Sequence, residues 1–443
     1  MSYEDVLKRA ENDGIKFIYL QFTDMFGTVK NVTIPVEKLP EALERGIWFD
    51  GSSIEGFVRI HESDLFLKPD TETYAVIPWE ERDEKTARFI CDVFRPDGKP
   101  FEGDPRHILK KAVSEINGMG LEYYVGPELE FFIFRKENGN ITPVTHDKAG
   151  YFDFSSDLAS NIRKDMTLCM EQMGISIEAS HHEVAWGQHE IDFRYGKAVA
   201  TADNAITFKF IVKAIAAKYG LYATFMPKPI QGINGSGMHV HQSLFNMKTE
   251  KNVFFDSKDR YKLSEMAYSF IAGQMQHIKG MSAILSPTVN SYKRLLPGYE
   301  AACYISWAQI NRSALIRIPR YSPGREDSTR CELRCPDPSC NPYLAFAVML
   351  KAGIDGIKKG MKPPEPVEEN VFDFDDSKLA ERNIEVLPYS LIDAVKEMRK
   401  NEVVKETLGN YLFSKYIDAK MEEWDSFRIS VTDWETKRYL EKT

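Results

Sequence analysis

Hydrophobic and polar positions change period along this chain, and each change marks an element. Ser2 to Asp13 has helical spacing, opened by a Ser2-x-x-Asp5 capping pattern and stopped by Gly14. Lys16 to Phe22 alternates as a strand, Asp24 to Gly27 turns it, and a second strand ends near Ile34. Pro35 to Arg45 predicts a helix, and short strands follow to about Asp92. Phe49 to Phe57 breaks the pattern as a polar, Gly- and Ser-rich loop flanked by aromatics. Arg95 to Pro100, with two prolines and a glycine, predicts a linker.

Later helices are predicted after Asp104-Pro105, over 158–173, over 202–219 between Thr201 and Gly220, from Ser264 to Lys279, and from Asn341-Pro342 to Gly360. Residues 361–378, rich in proline and acids, predict an exposed loop, and two or three amphipathic helices finish the chain. The class is α+β. A length of 443 residues calls for more than one domain, and the pattern divides it into 1–102 and 103–443.

One stretch does not fit its surroundings. Gly126 to Phe134 reads as a short aromatic-rich strand, yet it carries Glu128 and Glu130. Strand side chains alternate, so both carboxylates share a face. Buried side by side they persist only with cations or a shared proton; the alternative is an edge strand with two wetted glutamates.

Composition narrows the chemistry. Hydrophobic content of 43% and charged content of 28% are ordinary for a globular protein, and a net charge of −9 argues against nucleic acid as a partner. Six cysteines, the last three spaced C-x3-C-x4-C, fit neither a disulfide scaffold nor a zinc site and predict reduced thiols in a cytoplasm. Met1 to Asp5 lacks the features of a signal peptide, and no apolar run nears the roughly 18 residues of a membrane span.

Three further clusters could serve the two glutamates. His181-His182-Glu183 and Gln188-His189-Glu190-Ile191-Asp192 are dense in metal-competent groups but are not H-E-x-x-H. Asn234 to Met238 is Gly-rich and leads into a strand with His239, His241 and Ser243 on one face. Arg294, Arg312, Arg317, Arg330 and Arg334 supply fixed positive charge. In the alternating run 330–335, Arg330, Glu332 and Arg334 face away from Cys331, Leu333 and Cys335. A lone histidine or a charge run is more often structural, or a salt-bridged surface. Together, however, oxygen ligands favour Mg²⁺ or Mn²⁺ over zinc, and with arginines they are the equipment of phosphoryl transfer from ATP. There is no P-loop, no G-x-G-x-x-G and no kinase signature.

Separated motifs in a fixed order then become recognisable: Asp50-Gly51-Ser52-Ser53-Ile54, Pro127 to Phe132, His181 to Glu183, Gly187 to Glu190, Asn234 to His239, Pro287 to Leu295, Pro297 to Glu300, Asn311 to Ser313, Ile316 to Pro319 and Asn341 to Tyr343. Over essentially its whole length the chain resembles type I glutamine synthetases. The resemblance implies a small N-terminal β-grasp-like domain and a large catalytic domain with a curved antiparallel half-barrel sheet. It implies ATP-dependent ligation of ammonia to glutamate through γ-glutamyl phosphate, with two to three Mg²⁺ or Mn²⁺ ions per site. Glu130, Glu183 and Glu190 would hold one ion, and Glu128, His239 and Glu332 the second. Glutamate would meet Asn234, Gly235, Arg294, Glu300, Arg312 and Arg334. ATP would meet His241, Ser243, Arg312, Arg317 and Arg330. Asp50, helped by Ser53 and Glu183, would form the ammonium pocket, and Glu300 would lie on a closing flap. A homo-dodecamer of two hexameric rings with sites between subunits is implied, and small regulatory proteins are candidate partners.

Two departures occur: Ala302 and Trp186 stand where family members carry proline. The stretch Asn383 to Pro388 has no tyrosine before Leu387, so adenylylation is not expected; Arg59 resembles the arginine of glutamine feedback in the I-alpha branch. A γ-glutamyl-amine synthetase is disfavoured by the intact Asp50 motif, and a silent homologue by the full ligand set.

Overall fold

The computed structural model describes residues 1–52, 54, 64–80, 83–137, 140–296 and 301–442. Among them the N-terminal part holds α1 (Tyr3–Asn12), β1 (Ile15–Thr23), β2 (Val29–Pro35), α2 (Leu39–Arg45), β3 (Ile47–Asp50), β4 (Asp64–Pro69), β5 (Ala75–Val76) and β6 (Lys85–Phe94). The Ser2–Asp5 capping box forms at the start of α1 as its sequence requires. The sheet order is β2-β1-β6-β4-β3, with β5 on β6, and β1 runs parallel to β6. Alternate residues of β1 and β6, such as Ile18, Leu20, Phe89 and Val93, close a separate apolar core under α1 and α2.

The larger part follows with α3 (Pro105–Gly118), β7 (Leu121–Glu137), β8 (Asn140–Thr145), α4 (Ser160–Gln172), β9 (Ile177–His182), β10 (Gln188–Phe193), β11 (Gly196–Lys197), α5 (Ala198–Lys218), β12 (Leu221–Thr224) and β13 (Met238–Asn246). It ends with α6 (Glu265–Leu285), α7 (Ser291–Arg294), β14 (Tyr304–Ala308), β15 (Ala314–Arg317), β16 (Cys331–Leu333), α8 (Pro342–Lys359), α9 (Asp376–Glu381), α10 (Leu391–Arg399), α11 (Glu402–Arg428) and α12 (Asp433–Tyr439). The sheet order is β14-β15-β16-β13-β7-β10-β9, and the long central β7 also pairs with β8, β11 and β12. All these pairings are antiparallel except β14 with β15. One face packs on α5, α6 and α8, whose buried leucines, isoleucines and phenylalanines make the main core; the other face is left for polar side chains.

Several boundaries differ from the sequence reading. Residues 95–100 form a tight turn rather than a free linker: Arg95 N donates to Lys99 O at 2.9 Å, and Phe94 bridges to Pro100. The helix before Arg45 begins with a 3-10 turn over Val36–Lys38. The tail carries four helices, and α9 begins inside the stretch read as a loop. No described helix is long and apolar enough to cross a membrane.

Candidate active site

Period-two alternation on β7 does what the sequence requires: Leu129 and Phe131 are buried in the core while Glu128 and Glu130 share the opposite face. The neighbouring strands decide what each carboxylate meets. Glu128 pairs in register with His239 on β13, and Glu130 with Glu190 on β10. Both open into one cleft of about 740 Å³, lined by Glu128, Glu130, Glu183, Glu190, His239 and Glu332, with Arg312, Arg317 and Arg334 across from them.

The two carboxylates sit in different fields. On the Glu130 side, burial and the adjacent Glu183 push Glu130 up to about 8. Burial and Glu130 raise Glu190 as well. His181, Glu183 and Glu190 bring ligand atoms within 4.8 Å of one another. On the other side Glu128, His239 and Glu332 do the same. Burial works to raise Glu128, but His241 and His239 pull it well below the carboxylate range. Glu332 is fully buried; it accepts from Arg317 Nε and from Arg334 NH1 at 2.8 Å, and His239 Nδ1 lies 3.6 Å away. Two clusters of oxygen and imidazole donors suit hard divalent cations; Glu130 borders the first without joining its close group, its Oε2 accepting from Gln188 and from Gly237 N.

His241 points to a second opening. Its Nε2 lies 2.7 Å from Glu128 Oε1, and Arg330 Nε donates to its Nδ1 at 3.1 Å. Arg330 Nε can only donate and Glu128 Oε1 can only accept, so Nδ1 takes the acceptor role and Nε2 the donor role. His241, Ser243, Arg330, Glu128 and Asp192 line a cavity of about 310 Å³ next to the cleft.

The Gly-rich loop closes a third side. Ser236 N donates to Pro227 O at 2.8 Å, and Gly237 N donates to Glu130 Oε2 at 3.0 Å. A Cβ at Gly235 would lie 2.2 Å from Pro227 O, so only glycine fits. Arg294 is buried behind this loop, donating to the carbonyls of Cys335, Pro336 and Arg334. Asn311 anchors its segment on Val367 O and Glu369 O, which leaves Arg312 at the rim of the cleft.

Not every expected residue arrives there. Asp50 ends β3 in the small sheet, its Oδ1 accepting from Ser52 N, and is not among the described residues lining the cleft. Ser53, Arg59 and Glu300 lie outside the described residues. Ala302 is buried, and Trp186 is half exposed with Lys148 Nζ 5.6 Å from its ring centre.

Of the three clustered histidines, only His181 faces the cleft. His182 donates from both nitrogens, to Asp147 Oδ1 at 3.0 Å and Glu183 O at 2.7 Å. Burial alone would lower its pKa, but Asp147 raises it. His189 is buried, its Nδ1 accepting from Arg163.

Two residues of the run 188–192, to which the sequence assigned no individual role, belong to the site. Gln188 donates to Glu130 Oε2 at 2.7 Å. Asp192 joins Glu128 and Glu190 in a third group of close ligand atoms, and its Oδ1 is buried without a hydrogen-bond partner. Both share the period-two face of Glu190 on β10, which was the available signal.

The sequence family described as glutamine synthetase, catalytic domain, matches residues 102–439, and its β-Grasp domain matches residues 14–96. A glutamine synthetase of Clostridium saccharobutylicum is 54% identical over 99% of this chain and 98% of its own. One of Methanosarcina mazei is 52% identical over 99% and 97%. Among solved structures, GmaS with ADP superposes with a TM-score of 0.89 at 30% identity, covering 99% of each chain. Plasmodium falciparum glutamine synthetase gives 0.88 at 25% identity, with the same coverage.

Proposed function

The chain belongs to the glutamine synthetase family, and on that premise we propose how its residues divide the work. It joins ammonia to L-glutamate with ATP, giving L-glutamine, ADP and phosphate through γ-glutamyl phosphate. The small sheet is its β-grasp domain and the curled large sheet its catalytic domain. We place the boundary between residues 102 and 103.

The observation that carries the assignment of roles is the cleft in which Glu128, Glu130, Glu183, Glu190, His239 and Glu332 line one space with three arginines. Glu130, Glu183 and Glu190 would hold one Mg²⁺ or Mn²⁺, and Glu128, His239 and Glu332 a second. The raised Glu130 and Glu190 fit this, because a cation relieves the repulsion that burial imposes on them. Glu128, Glu190 and Asp192 offer a place for a third. Bound ions would neutralise charge on the phosphoryl group in transfer.

His241, Ser243 and Arg330 would line the nucleotide, and Arg317, Arg334 and Arg312 would meet its phosphates and the acyl phosphate. Glutamate would lie against the Asn234–Gly235 loop, which Arg294 backs, and reach Arg312 and Arg334. Ammonium must lose a proton before it attacks, and an anionic pocket both attracts it and takes that proton. Asp50 with Ser53, facing Glu183 of a neighbouring subunit, would make that pocket. That Asp50 is not among the described residues lining its own cleft agrees with sites shared between subunits in a dodecamer of two hexameric rings. Glu300 would close the site against water and accept a proton from the tetrahedral adduct. We further assign the chain to the feedback-regulated I-alpha branch, with Arg59 as the regulatory residue and no adenylylation, in the cytoplasm.

Phosphate release from Mg-ATP tests this. It should require both glutamate and ammonium. Release with alkylamines but not ammonium would make the chain a γ-glutamyl-amine synthetase, and no release with any acceptor would overturn the enzymatic reading.

A further inference from the structure

Gln188 touches three parts of the cleft at once. It is 1% exposed and is the first residue of β10, one turn of the pleat from Glu190. Its Nε2 donates to Glu130 Oε2 at 2.7 Å and to Gly235 O at 3.1 Å. Both partners are acceptors, so the amide has one orientation and both its N–H groups are spent. Its main chain closes the turn that carries Glu183: Gln188 O accepts from Glu183 N at 2.8 Å, and Gln188 N donates to Ala185 O at 3.0 Å.

Glu130 Oε2 also accepts from Gly237 N at 3.0 Å. One carboxylate oxygen is therefore held by the loop and by Gln188. The other is left for the acidic side of the cleft, where Glu190 faces Glu130 across the β7–β10 ladder and Glu183 lines the same space. The loop cannot yield independently, because Gly235 packs directly on Pro227 O.

Resting on the ion and glutamate assignments above, we infer that Gln188 is a positioning residue that couples the two sites: it aligns Glu130 for the first ion and, through Gly235 O, sets the loop that receives glutamate. An ion that fixes Glu130 thereby fixes the loop, and glutamate that orders the loop tightens the ion. Linkage makes the two effects equal.

The test is binding, not turnover. Mn²⁺ affinity of the tightest site is measured by electron paramagnetic resonance with and without L-glutamate, in the absence of nucleotide. In the wild-type protein glutamate should tighten Mn²⁺ about tenfold, and Mn²⁺ should tighten glutamate equally. Gln188→Met keeps the size of the side chain but donates nothing, and should bring that factor to within about twofold of unity while ADP affinity is unchanged. An unchanged factor in Gln188→Met, or no mutual effect in the wild-type protein, overturns the inference. Absence of Mn²⁺ binding to the wild-type protein would instead remove the ion assignment beneath it.

Discussion

Glu130 stands directly opposite Glu190 across the β7–β10 ladder, two carboxylates on one face of adjacent strands. Like charges so placed destabilise a sheet. Burial first, then the neighbouring acids, raise both groups, Glu130 to about 8. An unfolded glutamate titrates near pH 4.3, so between about 4 and 8 the folded protein retains a proton that the unfolded chain has shed. A raised acid pKa favours the folded state at low pH, and that contribution is lost as pH rises through this window. Chelator-treated protein should therefore show a falling thermal midpoint from about pH 5 to 8, and Mg²⁺ should restore more at the upper end. Equal Mg²⁺ stabilisation at both ends would contradict the cluster as an ion site.

Glu332 binds the opposite half of the cleft together. Its buried carboxylate takes two guanidinium groups and approaches His239. Glu332→Gln keeps the volume but leaves Arg317 and Arg334 facing a neutral amide. Turnover should fall at least about 100-fold, with one fewer Mn²⁺ bound per chain and the tightest site retained. Phosphate release and Mn²⁺ stoichiometry measure the two effects; full activity would refute the second-ion assignment.

Gly235→Ala tests the loop. The added methyl would meet Pro227 O at 2.2 Å, so the main chain must move and Gly235 O must shift from Gln188. The KM for glutamate should rise by about tenfold or more, since small misplacements of a binding group carry large penalties. ADP affinity, set at the cavity around His241, should hold. A KM unchanged by the substitution would place glutamate elsewhere.

Much of this cleft was legible because its residues repeat. Period two put Glu128 and Glu130 on one face, and put Glu332 opposite Cys331 and Leu333, both of which are fully buried. Which ladder partner each would meet was not legible from alternation, because register is set by pairing between distant strands. Period two also put Gln188 on the face of Glu190, but its partners, a carboxylate and a loop 58 and 47 residues away in sequence, were not legible from it. Helix α6 was expected to stop at Lys279 but runs to Leu285; its last turns are buried through Met281, Ala283, Ile284 and Leu285, and Gly280 leaves room for Asn401, which would lie 2.5 Å from a Cβ there. Helix α5 begins at Ala198 rather than near Thr201, since β11 runs straight into it without a side-chain cap.

The joint between the two sheets makes the last prediction. Arg106, on the first turn of α3, is 3% exposed and meets three carboxylates. Its Nε and NH2 donate to Asp203 on α5, at 2.9 and 2.8 Å. NH1 donates to Asp92 on β6 at 2.7 Å, and NH2 to Asp70, just beyond β4, at 2.8 Å. Two of these acids belong to the small sheet and one to the layer packed on the large sheet, so a single guanidinium ties them. Lys110 reaches Asp92 at 2.7 Å, but nothing comparable replaces Arg106 at Asp203 beyond the Tyr343 hydroxyl. Arg106→Met should destabilise the protein by about 3–5 kcal/mol, because it leaves the buried Asp203 carboxylate without its ion-pair partner. The loss should change little with salt, unlike that of a surface pair. Adding Asp203→Asn should recover part of it, since the amide needs no cation, and the two substitutions should be non-additive in a double-mutant cycle. Mn²⁺ affinity of the tightest site should stay within about twofold of wild type, because the joint lies on other elements than β7, β10 and the 234–237 loop. Additive effects in that cycle would show that Arg106 acts on stability by some route other than its pairing with Asp203.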